Sequence, residues 1–146
     1  MGVGEGAMSD ASYQVLQVSP WELHGGIGRI ANYLHQAYKA RGIKSSRAVG
    51  RKDSDDPDVW QIAGGEQGIA QLLALPLNTI IHLHAPDSWK FELAALPALT
   101  ACFQVVLHLH DAWLLSGGCS HSLDCEAWES GCDGAWCPPM GCKGSL

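Results

Sequence analysis

Between residues 13 and 50 the chain reads strand, glycine loop, helix, strand, and that order constrains the fold more than any other stretch. Residues 13–18 carry apolar Val15, Leu16 and Val18 and are predicted as a short strand, stopped by Ser19 and Pro20. After a loop over 21–28, Ile27, Ile30, Ala31, Leu34, Ala37 and Tyr38 recur at helical spacing. Arg41 suits the negative end of that helix, and Gly42 is a natural C-cap. Residues 44–50 then read as a second strand. Such a unit is the first half of a Rossmann-like α/β fold, a parallel sheet with flanking helices.

The remaining chain continues the alternation. Asp53, Asp55 and Asp56 mark a charged turn region, and 59–62 is a short strand broken by Gly64 and Gly65. A helix is predicted over 66–75, stopped by Pro76, and a buried strand over 79–84. A further helix is predicted over 87–96, where Pro97 disfavours continuation. Residues 104–109 read as another buried strand, with Cys102 before it as a core thiol. From 116 to 146 glycine, cysteine, tryptophan and proline replace regular periods, so this segment is predicted as an irregular Cys-rich loop.

At 146 residues one domain is expected. Such a chain buries roughly 70% of its unfolded surface. Residues 1–12 are glycine-rich and acidic without the apolar core of a signal peptide, and read as a disordered extension ahead of an ordered domain at 13–115. No apolar run is long enough to span a bilayer. The cytoplasm is the default compartment, where clustered cysteines bind metal more often than they pair. A net charge of −6 argues against nucleic acid as a partner. Seven of the nine basic residues nevertheless fall in one 24-residue window, from Arg29 to Lys52. That window is compatible with an anionic ligand, and equally with an ordinary solvated face.

Three features carry chemistry. Gly25, Gly26 and Gly28 would let a phosphate approach main-chain N–H groups at a helix start, although the spacing is not G-x-G-x-x-G. His82 and His84 share one face of their strand, as do His108 and His110 of theirs. If the two strands are neighbours, His84 and His110 meet at the carboxyl edge, where open parallel sheets bind ligands, and His82 and His108 become core residues. His110 with Asp111 is then the better catalytic pair, an imidazole to donate a hydrogen bond beside a carboxylate to accept one or orient the ring. Finally, Cys119, Cys125, Cys132 and Cys137 offer four thiolates to a structural zinc, with Cys142 to spare. Such an ion would stabilise the loop by about 10 kcal/mol. Disulfides and unlinked thiols are the other readings.

The front unit, the His-Leu-His at 82–84, and His110-Asp-Ala-Trp113 leading into Ser116-Gly-Gly-Cys119 with the later Cys125 and Cys132 resemble one family. It is the GT-B glycosyltransferases of family 4, in particular bacterial members with a segment H-D-x-W-x-x-T-G-G-C-H-Y-x-x-D-C-x-x-W-x-x-G-C. The resemblance implies a retaining transferase that takes a hexose from a nucleotide-sugar donor to a sugar or lipid-linked acceptor. In that family the glycine loop, here Gly25 and Gly26, faces the donor diphosphate, and the histidine matching His110 contacts the donor sugar. His84 is grouped with the donor-binding residues. The likeness ends within the first of two domains, so the expectation is a fragment, a truncated product or part of a split enzyme. Such a chain would be inactive alone and would depend on a separate donor-binding domain. Peripheral membrane association also fits a lipid-linked acceptor. Two other classes compete: a metal-dependent hydrolase using both His-x-His pairs, and a non-catalytic zinc-stapled binding module.

Overall fold

A computed structural model describes residues 13–86, 91–116, 119–121, 125–126 and 129. The predicted extension at 1–12, and Cys132 and Cys137 of the predicted zinc site, lie outside the described residues. The chain divides into two compact units, one ending at His108 and the other beginning at Leu109.

The first unit is an all-parallel, five-stranded α/β sheet flanked by helices, a Rossmann-like arrangement. Its strands are β1 (Gln14–Trp21), β2 (Lys44–Arg51), β3 (Val59–Gln61), β4 (Thr79–His84) and β5 (Gln104–His108), in the order β3-β2-β1-β4-β5. The helices are α1 (Gly25–Ala40), α2 (Gly65–Leu73) and α3 (Leu96–Cys102). The order reverses at β1. From β1 the chain passes through α1 to β2 on one side, then returns through α2 to place β4 on the other. Parallel crossovers are right-handed, so this reversal puts α1 on one face of the sheet and the later helices on the opposite face.

The two faces differ in chemistry because side chains alternate along a strand. Leu16 and Val18 of β1, Ala48 of β2, and Ile81 and Leu83 of β4 point to one side and pack with Ile62, Leu72, Phe91, Leu99 and Phe103. That is the apolar core. The other face carries Gln17 and Ser19 of β1, Ser45 and Arg47 of β2, and His82 and His84 of β4, all buried. Here α1 covers the polar groups and satisfies several of them: His35 Nδ1 lies 2.9 Å from Ser45 Oγ, and Arg47 reaches Asn32 Oδ1 at 3.2 Å.

Several boundaries differ from those predicted. Ser19 and Pro20 lie inside β1 rather than ending it. Beyond Val18, β1 pairs only with β2, so proline's missing N–H leaves no ladder bond unmade on the other side. Pro97 does not end a helix; it sits in the first turn of α3, where a missing N–H costs nothing. Only a 3₁₀ turn, Leu93–Ala95, precedes it among the described residues of the predicted 87–96 helix. Nor is the last strand buried. With β5 at the edge of the sheet, Val106 is 46% and Leu107 40% exposed, and Cys102 is exposed rather than in the core. No helix among the described residues is long and apolar enough to cross a membrane.

Candidate functional site

The loop between β1 and α1 is built from below by two buried charged side chains. Glu22 is 2% exposed and Arg47 1%. The Glu22 carboxylate accepts the N–H of Asp53 at 2.5 Å and of Ser54 at 2.9 Å, and the Ser54 hydroxyl. Burial pushes this carboxyl up, but the Ser54 hydroxyl, the two backbone donors and the Arg47 charge outweigh it and hold it below its ordinary value. Arg47 donates to the Glu22 carbonyl, to Asn32 Oδ1 and, at 3.4 Å, to the Gly28 carbonyl. One guanidinium thus ties both ends of the loop to the start of α1. Burial pulls that guanidinium below its ordinary value, against the opposing pull of Glu22 and Asp56.

Gly28 fits because a Cβ there would lie 3.0 Å from both the Trp21 and Glu22 carbonyl oxygens. Gly25, by contrast, is needed for its left-handed backbone, with φ of +63°. A Cβ at Gly25 or Gly26 would meet nothing within 4 Å, and both residues are exposed. The loop therefore presents open main chain at the first turn of a 16-residue helix, at the carboxyl edge of the sheet.

Four of the seven cations in the basic window are tied to the fold. Besides the buried Arg47, Lys39 pairs with Asp58, Arg51 with Asp53 at 3.2 Å, and Lys52 donates to the Asp56 and Val59 carbonyls. Arg29, Arg41 and Lys44, by contrast, are exposed.

The histidines form the second feature of this edge. β4 and β5 are neighbours, but the register pairs His84 with His108, where His110 was expected. His82, His84 and His108 consequently stack, with ring centroids 4.4 to 5.4 Å apart. His82 Nε2 and His108 Nδ1 lie 3.3 Å apart, and His84 Nε2 lies 2.7 Å from Gln17 Oε1. His84 is fully buried, His82 is 8% exposed and His108 is half-buried. His82 is thus a buried, hydrogen-bonded histidine as expected, whereas His108 is only half-buried, and with His84 they form one cluster. Gln17 was missed in the sequence, although a glutamine between Leu16 and Val18 of a central strand signals a polar face.

No family model, curated protein or solved structure matches the chain.

His110 and Asp111 belong to the second unit. There Asp111 Oδ1 accepts the Trp113 N–H at 2.9 Å, the mark of an Asx turn, and His110 is half-buried. The turn continues through Ala112, whose N–H donates to the Ser120 carbonyl and whose carbonyl accepts from Leu115 and Ser116. Ser116 Oγ bonds to both the N–H and the carbonyl of Cys119. Cys119 and Cys125 are half-buried. A cleft of about 480 Å³ opens at the opposite edge of the sheet, between Tyr13, Leu77 and Phe103. Its described lining holds neither imidazole nor carboxylate.

Proposed function

We propose that this chain supplies the acceptor-side, Rossmann-like part of a retaining GT-B glycosyltransferase, acting with a nucleotide-sugar donor and a sugar or lipid-linked acceptor. The observation that carries the reading is the exposed Gly25-Gly26 pair, with empty space above both Cα positions at the start of α1. It coincides with the place the family resemblance gives to the donor diphosphate. Backbone N–H groups at a helix start, together with the helix dipole, favour such an anion. The chemistry needs little more from this part of an enzyme: hold the diphosphate, offer an imidazole to the sugar, and leave room for the acceptor. By resemblance the imidazole is His110.

Gly26 allows a clean test. Its φ is unexceptional and a Cβ there meets no described atom within 4 Å, so Gly26→Val should fold normally while filling the phosphate's space. Amide NMR of the chain titrated with uridine, guanosine and thymidine diphosphate sugars should show weak binding, with shifts at Gly25 and Gly26 that Gly26→Val abolishes. Shifts confined to other parts of the chain, or unchanged in the valine variant, would defeat the reading.

A further inference from the structure

We infer that His82, His84 and His108 form a binding site for a zinc-type divalent ion, separate from any thiolate site in the tail. The inference stands independently of the glycosyltransferase reading. Each ring offers one ligand nitrogen, and the three lie within 4.8 Å of one another. In tetrahedral zinc, with Zn–N bonds of about 2.0–2.1 Å, neighbouring nitrogens sit about 3.3–3.4 Å apart. The His82 Nε2 to His108 Nδ1 distance of 3.3 Å already matches that edge. The third nitrogen must approach by about 1.4 Å at most, within reach of rotation about the broad terminal torsion of histidine. The near-parallel rings, 19° to 27° apart, tilt as it does so.

A second observation points the same way. Histidines that bind metal almost always donate their other ring N–H to an oxygen, which fixes the tautomer and the ring. His84 has that partner in the buried Gln17, whose Oε1 lies 2.7 Å from Nε2. In the tautomer that donates from Nε2 to this oxygen, the lone pair lies on Nδ1. Among the described residues the buried amide nitrogen of Gln17 has no hydrogen-bond partner. The donor set is three imidazoles with no carboxylate, which suits zinc, cobalt or nickel and not magnesium or calcium. Three protein ligands leave a fourth position for water or a ligand atom.

Cobalt is the probe, since its spectrum reports nitrogen or sulfur ligation. The chain is used in full, with Cys119, Cys125, Cys132, Cys137 and Cys142 changed to serine so that no thiolate in the tail competes. One equivalent of Co²⁺ should bind with a nitrogen-type spectrum and shift the ¹⁵N signals of all three rings. His108→Ala, at the half-buried end of an edge strand, should weaken binding by about 100-fold or more. Gln17→Leu should weaken it by about 10- to 100-fold through lost positioning of His84. Should the serine variant fail to fold, the ¹⁵N-histidine signals of the unaltered chain answer the same question. Rings that respond to pH but to no metal ion, or metal binding indifferent to His108→Ala, would overturn the proposal.

Discussion

Replacing Arg47 with alanine removes the group that ties the β1–α1 loop to the sheet, and the structure sets the size of the effect. Three acceptors lose their donor: the carbonyls of Glu22 and Gly28 and the side-chain oxygen of Asn32. Breaking a buried charged network in this way costs about 3–5 kcal/mol. Among the described residues the buried Arg47 Nε proton has no partner, so part of the network's gain is forfeited and the lower end applies. The expected loss is therefore about 3 kcal/mol, or about 10 °C in melting temperature for a domain of this size. Urea unfolding followed by fluorescence measures it. Arg47→Met keeps most of the volume without the donors and should recover less than half of the loss. Hydrogen exchange at Gly25 to Gly28 should quicken in both variants before global unfolding does. A loss below about 1 kcal/mol for alanine, or full stability for methionine, would refute the claim that hydrogen bonding by Arg47 holds the loop.

Two further outcomes are expected. A Cβ at Gly68 would lie 2.1 Å from the Ala63 carbonyl oxygen, so Gly68→Ala must push α2 away from the loop that leads into it; it should cost about 2 kcal/mol in thermal melts, whereas Gly26→Ala should cost almost nothing. His35 is fully buried, and burial, with Lys39 and Arg47 nearby, lowers it below the ordinary value of 6.5. The native state thus prefers the neutral ring, so its contribution to stability is whole above pH 6.5 and is lost as pH falls toward the lowered value. Urea midpoints measured from pH 7 to 5 should fall in the parent and fall less in His35→Phe.

Much of the fold could be read from periodicity. The predicted strands at 44–50, 59–62 and 79–84 match observed elements to within a residue, and the helix after the glycine loop is there, although α1 begins at Gly25, inside the predicted loop of 21–28. Errors came where one residue type has two uses. Pro20 and Pro97 read locally as terminators, yet each stands where the backbone needs no donor. Arg47 was grouped with surface cations because nothing in its local window distinguishes it; only the parallel register, which sets it beside Gln17, puts it under α1. The histidines show the same limit. Both His-x-His pairs were visible, but a two-residue slide between β4 and β5 decides whether His84 meets His110 or His108. A strand's own sequence specifies its faces and leaves its register to turns and neighbours.

The position of β1 at the centre of the sheet also shapes how the chain is made. Of the five strands β1 is made first, and it finds β2 about 30 residues later. Its other neighbour is far behind: Gln14 pairs with Thr79 and Val18 with Leu83. Until residue 83 emerges, a nascent sheet of β1, β2 and β3 carries its most apolar strand as an open edge, a ready template for wrong partners. Closing that gap requires a contact across about 65 residues, which makes folding slow by the measure of sequence separation. Synthesis rate between α1 and β4 should therefore influence yield more than any single surface residue does.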